Sequence, residues 1–273
     1  MIFRRRKQNR IRLKSARELD RMRVAGRMVA DCFALLKANI HPGVSLHHLD
    51  QLVENYLHEM GAQPLYKGYQ GSGSDHPPFP GVICASINHE ICHGLPDQRL
   101  LQDGDIIGID IGLRYKGYCG DACVTFPVGT VSAEASRLLE VAETALWHGI
   151  RAAQNNGYLN DIGRAIHDYA DTKRVSVVHE WGGHGIGRSL HEPPSVSHIR
   201  QEERGPRLQP GMVFTIEPMI NLGTHEWYLL PDGWTVITAD GQLSAQFEHT
   251  VAITQNGPEI LTLPPTVSAN GQP

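Results

Sequence analysis

The sequence predicts a single α+β domain built around an antiparallel sheet. Two helical patterns precede a set of apolar, strand-like runs, and the same order is then repeated, with the two halves meeting near residue 130. The turn before the second helix, Gly43–Leu49, weakly resembles the turn before the fourth helix, Gly157–Ile162. Because internal similarity is typical of duplicated architectures, we expect two similar halves that face each other.

No linker-like composition separates these halves, and we therefore expect one domain over residues 11–263. Residues 1–10 are basic and lack periodicity, which indicates a flexible tail with solvated charges; a ribosome contact is the alternative interpretation. Residues 264–273 are expected to form a second tail.

Four helices are predicted from apolar residues at helical spacing and from residues typical of helix ends. Ser15 and Glu18 form a capping box before the first helix, and Gly61 is suited to end the second. The predicted ranges are Ser15 to His41, Ser45 to Gly61, Ser132 to about Gln154, and a fourth helix capped by Asn160 or Asp161.

The strands are predicted from short apolar runs bounded by glycine, proline or asparagine. Their predicted ranges are Val82–Ile87, Ile106–Gly112, Tyr118–Val128, Val175–Val178, Met212–Pro218 and Phe247–Thr254, with a strand pair around Trp234. Residues 62–81 form a long Gly/Ser/Pro-rich loop with aromatic ends, and loops of this length are often functional.

Composition excludes several classes of protein. The chain has 273 residues and a net charge of −4, so charge gives no reason to expect binding to DNA. No apolar run approaches the ~18 residues of a membrane span, and no secretory signal is present. The five cysteines are an odd count without a C-x-x-C pair, which favours a reduced, cytoplasmic protein. We also expect a monomer, since no coiled-coil pattern occurs.

One histidine has an unusual setting. His184 lies in the run G-G-H-G-I-G, directly after the β-branched residues of Val175–Val178, and His191 follows seven residues later in H-E-P-P. Because glycine permits backbone conformations and close approaches that other residues avoid, we expect His184 in a loop where the backbone bends sharply and another group comes close. A histidine held only by hydrogen bonds is the simpler interpretation until partners are found.

Four carboxylates supply such partners, because each interrupts an otherwise apolar strand. They are Asp110, Asp121, Glu217 and Glu248. Burying a single carboxylate is costly unless it is paired or bound to a cation. Each alone would be read as an edge residue or a satisfied pair. Together with His184 they form an oxygen-rich set of about the size that two divalent ions require, and paired ions activate water in hydrolases.

Several motifs make a family resemblance specific. They are I-R-L-K at 11–14, M-R-V-A-G at 22–26, P-G-V-S at 42–45, S-I-N at 86–88, H-G-L-P at 93–96, G-D-I at 104–106, G-D at 120–121, G-H-G-I-G at 183–187, H-E-P-P at 191–194, E-P at 217–218, D-G-W at 232–234 and S-A-Q-F-E-H-T at 244–250. From Ile11 to about Thr262 the chain resembles the type I methionine aminopeptidases of peptidase family M24. The resemblance implies the pita-bread fold, a pseudo-twofold antiparallel sheet covered by helices on its outer face.

The resemblance further implies removal of the N-terminal methionine from nascent polypeptides when the second residue is small. Two divalent ions (cobalt, manganese, iron or zinc) are expected, with a water between them as the nucleophile. Asp121 and Glu248 would bridge the ions, Asp110 would hold one, and His184 and Glu217 the other. Glu217 would also accept the proton of the water.

Further residues are assigned by the same resemblance. His93 would contact the substrate near the new amino group, and His191 would stabilise the carbonyl oxygen of the tetrahedral intermediate. Trp234 would stand at the rim of the methionine pocket. The 66–79 loop is longer than in short bacterial members, and its Tyr66, Tyr69 and Phe79 are candidates for the pocket wall, since aromatic rings suit a methionine sulfur.

Two questions stay open at this point. Cys119 and Cys123 share a strand face with Asp121; they are interpreted as small buried residues, with an oxidation-sensitive thiol as the alternative. The rival functions are an Xaa-Pro aminopeptidase or prolidase, and a non-catalytic binding member of the fold. The former usually carry an extra N-terminal domain, and the latter typically lose metal ligands.

Overall fold

A computed structural model of the chain describes residues 10–70 and 77–264. The predicted tails therefore lie almost wholly outside the described residues, as do positions 71–76 of the long loop. Within the described ranges, no helix is both long and apolar enough to cross a membrane.

Four helices are present, as predicted. They are α1 (Ala16–Lys37), α2 (Leu46–Met60), α3 (Ala133–Ala152) and α4 (Leu159–Lys173). The Glu18 carboxylate accepts a hydrogen bond from the Ser15 amide at 2.9 Å, which confirms the predicted start of α1. Gly61 ends α2 with a φ of 66°, the left-handed conformation that favours glycine.

The predicted cap of α4 was wrong by two or three residues. Tyr158 is the N-cap, and Asp161 lies three residues into the helix rather than at its cap. There its carboxylate accepts from the Tyr158 amide at 3.0 Å. An acidic side chain can satisfy the first turn from inside the helix, which is why its sequence position alone did not identify the cap.

The described strands pair antiparallel throughout, and all except the ten-residue β4 and β5 are short. In chain order, β1 to β15 are Gln63–Pro64, Cys84–Ile87, Glu90–Cys92, Ile106–Tyr115, Tyr118–Pro127, Ser176–Val177, Gly183–Gly185, Glu192–Val196, Val213–Ile216, Met219–Asn221, Trp227–Leu229, Val236–Thr238, Ser244–Gln246, His249–Thr254 and Gly257–Ile260. The α+β prediction is thus confirmed.

Each half of the domain contains one of the two larger sheets. In the first half β4 pairs with β5 along one edge and with β2 and β1 along the other, beneath α1 and α2. In the second half the order is β15-β14-β9-β7-β8, beneath α3 and α4. Each half therefore has its own apolar core between helices and sheet.

The halves join through hydrogen bonds between β5 and the chain around β14. The Glu248 amide donates to the Cys123 carbonyl at 2.8 Å. The Thr250 hydroxyl donates to the Asp121 carbonyl at 2.7 Å and accepts from the Asp121 amide at 3.2 Å. Consequently Asp121 and Glu248 meet where the two halves are joined.

Five predicted strands are shorter than expected; β2 begins two residues late, at Cys84, and β5 ends one residue early, at Pro127. β9 ends at Ile216, one residue before Glu217, and β14 begins at His249, one residue after Glu248. Pro218 has no amide proton, and the Glu217 amide donates to His198 Nε2 at 3.1 Å rather than to a neighbouring strand. The strand predicted at Val175–Val178 is reduced to β6. Both glutamates therefore lie at strand ends and not within strands.

Candidate metal centre

A cavity of about 1360 Å³ lies against the junction of the two halves. Every side chain that the sequence assigned to ligand binding, catalysis or the methionine pocket lines it. These are Asp110, Asp121, His184, Glu217, Glu248, His93, His191, Tyr66, Tyr69, Phe79 and Trp234. They come from both halves of the chain, so the cavity depends on their assembly.

The five candidate ligands converge on one end of this cavity. Asp121, His184 and Glu248 each offer a donor atom, and these atoms lie within 4.8 Å of one another. His184 Nε2 is 3.6 Å from Asp121 Oδ2 and 3.7 Å from Glu217 Oε1. Asp110 lies on the far side of Asp121, where both carboxylates reach the hydroxyl of Tyr66. Asp121 therefore stands between the two parts of the cluster.

The register of β4 and β5 places Asp110 and Asp121 on one face of the sheet. Asp110 is directly opposite Cys123, and Asp121 is two residues before Cys123. Because side chains alternate along a strand, all three project to the same side. Gly112 is opposite Asp121, and a Cβ there would lie 2.9 Å from the Tyr66 ring. This glycine thus makes room for the tyrosine.

Tyr66 has a contact that its predicted place in the pocket wall did not include. Its hydroxyl oxygen is 2.6 Å from Asp110 Oδ1 and 2.7 Å from Asp121 Oδ1. Burial and then the nearby carboxylates raise the pKa of Tyr66 well above its usual value, so the hydroxyl keeps its proton. With a single proton, it can donate to only one of the two carboxylates.

The glycines beside His184 allow neighbouring backbones to approach closely, as predicted. His184 lies in β7, between β8 and β9, so the predicted loop was wrong, although the pairing with β8 is irregular between His184 and Gly185. A Cβ on Gly183 would lie 2.2 Å from the Thr215 carbonyl oxygen, and one on Gly185 would lie 2.2 Å from that of Pro193. Glycine is therefore required because neighbouring backbones approach closely on both sides.

His184 is held as a neutral ring with one free nitrogen. Its Nδ1 is 3.1 Å from the carbonyl oxygen of Gly185, which places the proton on Nδ1. Burial, with a smaller contribution from His191, lowers the pKa of His184 to about 3. The lone pair of Nε2 consequently faces the carboxylates of Asp121 and Glu217, as a metal ligand requires.

Residues that sequence reasoning missed surround Glu217. The Thr215 hydroxyl donates to Glu217 Oε1 at 2.6 Å and accepts from the His184 amide at 2.9 Å. Gln246 Nε2 is 3.5 Å from Glu217 Oε2. Thr215 and Gln246 each precede a candidate ligand by two residues, so strand alternation was the signal that could have identified them.

The carboxylates of this cluster are difficult to ionise together. Burial raises the pKa of Asp110, Asp121, Glu217 and Glu248, and repulsion by neighbouring carboxylates adds to the effect for the last three. Glu248 Oε1 is buried without a hydrogen-bond partner among the described residues. Such an oxygen, beside other carboxylates and a neutral imidazole, fits a divalent cation.

Aromatic side chains form the opposite wall of the cavity. Phe79 packs edge-on against Trp234 with ring centres 5.3 Å apart, and Tyr69 lies 6.3 Å from Trp234. The Trp234 indole N–H donates to the Pro77 carbonyl at 2.8 Å, which attaches the later described part of the long loop to this wall. These rings give this side of the cavity an apolar surface.

The two histidines beyond the ligand cluster have different neighbours. His191 packs edge-on against His184 with ring centres 4.3 Å apart, and its Nδ1 is 3.3 Å from the Tyr69 hydroxyl. His93 packs edge-on against Trp181 at 5.1 Å, and burial lowers its pKa to about 4. Burial lowers the pKa of His191 as well, and both rings line the same cavity.

The structure bears on whether Cys119 or Cys123 is an oxidation-sensitive thiol. All five thiols are free and buried. Cys84, directly opposite Asp110 in the sheet, lines the cavity, whereas Cys119 and Cys123 are not among its lining residues. Burial raises the pKa of Cys123 well above its usual value, which leaves little reactive thiolate.

We therefore expect the activity of Cys123→Ser to stay within about twofold of the wild type. Under peroxide, the variant and the wild type should lose activity to the same extent. The measurement is residual peptidase activity after graded peroxide treatment of both proteins. Protection by the serine would contradict the interpretation of Cys123 as an inert, buried thiol.

Comparison with known proteins places the chain in a family. The family model of metallopeptidase family M24 matches residues 20–255. Methionine aminopeptidase 1 of Bacillus subtilis is 47% identical over 249 residues, which cover 91% of this chain and 98% of that protein. The crystal structure of methionine aminopeptidase from Rickettsia prowazekii is 39% identical with a TM-score of 0.89, covering 93% of this chain and 100% of that one.

A prolidase from Pyrococcus furiosus is also similar, with a TM-score of 0.70 and 20% identity, but at that identity the likeness concerns the fold alone. The match covers 92% of this chain and 65% of the prolidase. These likenesses confirm the pita-bread fold. The chain belongs to metallopeptidase family M24 and, within it, to the methionine aminopeptidase family.

Proposed function

We propose that the protein is a metal-dependent aminopeptidase that removes the N-terminal methionine from nascent polypeptides whose second residue is small. The observation that carries this proposal is the single cavity in which a carboxylate–histidine cluster faces an aromatic wall. In this proposal the carboxylate–histidine cluster carries out the hydrolysis. The aromatic wall binds the methionine side chain of the substrate.

Two divalent ions, when bound, would polarise the substrate carbonyl and activate water at neutral pH. The residues that we propose to hold them are Asp110, Asp121, His184, Glu217 and Glu248. Cobalt, manganese, iron and zinc all suit such a mixed oxygen and nitrogen set, and the identity and number of the ions are part of the proposal.

Glu217 is the proposed proton acceptor. Its Oε1 is held by the Thr215 hydroxyl and its backbone by His198, so the carboxylate has a fixed direction. A carboxylate with a fixed direction beside the cluster suits the removal of a proton from water.

The two histidines act on the peptide itself. His191, next to His184, can donate an N–H to the carbonyl oxygen as negative charge develops there. His93, held against Trp181, would contact the nitrogen of the second residue. The aromatic wall of Tyr69, Phe79 and Trp234 would hold the methionine side chain and exclude water from the reacting bond.

The cellular setting is proposed on the same basis. Nascent polypeptide N-termini are the proposed partners, and the cytoplasm is the proposed location. A monomeric state remains a prediction. So does a ribosome contact through residues 1–10, since all but the last of these lie outside the described residues.

The test is release of the first residue from Met-Ala-Ser, Leu-Ala-Ser and Xaa-Pro peptides, after chelation and after readdition of each candidate ion. We expect kcat/KM for Met-Ala-Ser to exceed that for the other peptides by about 100-fold, because the pocket is shaped for one apolar side chain. Chelation should abolish the activity and readdition restore it. Cleavage of Xaa-Pro peptides alone would favour the prolidase function and reject this one.

A further inference from the structure

A buried ion pair joins the start of the domain to the edge of the candidate site. Lys14 Nζ is 2.7 Å from Glu192 Oε2, and the two side chains are only 6% and 10% exposed. Neither residue belongs to the candidate ligand set. Burying two charges is costly, so such an ion pair is stable only where its geometry is good and further hydrogen bonds satisfy both groups.

Glu192 closes the turn that joins β7 to β8. Its Oε1 accepts hydrogen bonds from the backbone amides of Arg188 at 2.9 Å and Ser189 at 3.2 Å, while Oε2 accepts from Lys14. Burial alone would raise the pKa of Glu192, but Lys14 and the two amides lower it, so the carboxylate is ionised. The Glu192 side chain thus connects the two ends of the five-residue turn 188–192.

Lys14 is itself fixed in place. Its backbone amide donates to the Gly211 carbonyl at 2.7 Å, and its Nζ donates to the Arg12 carbonyl at 3.3 Å. Its side chain lies directly over Gly187, where a Cβ would be 2.5 Å from Lys14 Cε and 3.0 Å from Glu192 Oε1. The lysine therefore braces the turn from outside and leaves no space for a side chain between them.

His191 is the residue of this turn that faces the cavity. It directly precedes Glu192, and its ring packs on His184 and lies near the Tyr69 hydroxyl. A shift of the 188–192 backbone would displace this ring relative to the ligand cluster. Displacements of about 1 Å at a reacting centre can cost about 100-fold in rate.

We propose that Lys14 and Glu192 are positioning residues whose ion pair fixes the turn that presents His191 to the substrate carbonyl. The inference rests on the proposed function, because the role of His191 toward the carbonyl belongs to that function. It adds that the segment at the start of the domain takes part in building the active site.

The experiment compares Lys14→Met, Glu192→Gln and the double variant with the wild type. For Lys14→Met we expect kcat on Met-Ala-Ser to fall about 10- to 100-fold with KM changed by less than about threefold, because the ring is displaced while the pocket is intact. Affinity for Mn²⁺ should stay within about twofold, since the ligand cluster is not touched. The double variant should lose less than the product of the single losses, because both changes break one contact.

The second readout is hydrogen exchange at the backbone amides of Arg188 and Ser189, the donors to Glu192. We expect exchange about 10-fold faster in Lys14→Met, because the turn opens more often. If wild-type protein fails to cleave Met-Ala-Ser, the proposed function is rejected, while the exchange rates still test the positioning. Glu192→Gln keeps the acceptor oxygen for both amides and should show a smaller increase, which gives a second result if Lys14→Met folds poorly.

Arg23→Met is the matched control. It breaks another ion pair that spans the domain, Arg23 to Glu259 at 2.6 Å, and neither residue lines the cavity. This variant should leave kcat and the exchange of both amides unchanged. The proposal is overturned if Lys14→Met keeps wild-type kcat and exchange rates. It is also overturned if Arg23→Met and Lys14→Met lose activity and Mn²⁺ affinity in parallel, because a general loss of stability would then explain both.

Discussion

Asp121→Asn is expected to lower kcat on Met-Ala-Ser by about 1,000-fold or more, well beyond the 10- to 100-fold typical for loss of a partner outside the ligand set. Asp121 lies between the His184–Glu217 side of the cluster and Asp110, so it is the residue through which both ions would be held. The amide keeps the shape of the carboxylate but removes its charge. Mn²⁺ binding, followed by calorimetry, should weaken in parallel with activity.

Thermal stability separates loss of a ligand from loss of the fold. In chelator, Asp121→Asn should unfold at the same temperature as the wild type or higher, because one of several mutually repelling buried carboxylates is gone. With Mn²⁺ present, the wild type alone should gain stability. A variant that unfolds earlier than the wild type in chelator would contradict this account of the cluster.

Asp50→Asn provides the control for a buried aspartate outside the site. Asp50 is 5% exposed and its Oδ1 accepts from the amides of Val82 and Ile83, but it does not line the cavity. An asparagine oxygen can accept the same two hydrogen bonds. Activity and Mn²⁺ affinity should therefore stay within about threefold of wild type.

The candidate ligands could be predicted because each leaves a local signal. A carboxylate within an apolar run is visible in a window of a few residues, and Asp110 and Asp121 also share a face through strand alternation. The capping box of α1 and the terminal glycine of α2 are equally local. These features needed no knowledge of the fold.

The errors arose where distant residues determine the local structure. Gly183–Gly185 has little intrinsic strand preference, and it is a strand because β8 and β9 pair with it on both sides. Nothing near Glu192 in the sequence indicates Lys14, which is 178 residues away. The contacts of Trp181 with His93, and of Tyr66 with two carboxylates, are likewise set by packing between segments.

The second large effect concerns the linkage between metal, protons and stability. Since the pKa values of the four carboxylates are raised in the folded protein, to about 7 for Asp110 and about 8 for Glu217, these groups bind more protons in the chelated fold than in the unfolded chain from about pH 4 up to their raised values. Their contribution to the unfolding free energy should therefore fall as pH rises through that window. Divalent ions hold the carboxylates in ionised form and remove this penalty, so the stability gained from metal should grow with pH.

The buried histidines oppose this slope in the absolute stability. Burial lowers the pKa of His93 and His249 to about 4 and of His198 to about 3, so these groups destabilise the fold as pH falls below their usual range. None of the three belongs to the candidate ligand set. Their contribution to the unfolding free energy is therefore the same in metal-loaded and chelated protein, and it cancels when the two are compared at the same pH.

We therefore expect saturating Mn²⁺ to raise the unfolding temperature of chelated protein by about 5–10 °C at pH 7.5 and by less than half as much at pH 5.5. Calorimetric titration at pH 7.5 in two buffers of different ionisation enthalpy should show about one proton or more released for each protein loaded. His184, whose pKa is lowered to about 3, is already neutral at both pH values and cannot supply that proton. Equal stabilisation at the two pH values, with no proton released, would mean that the carboxylates are ionised before the metal arrives.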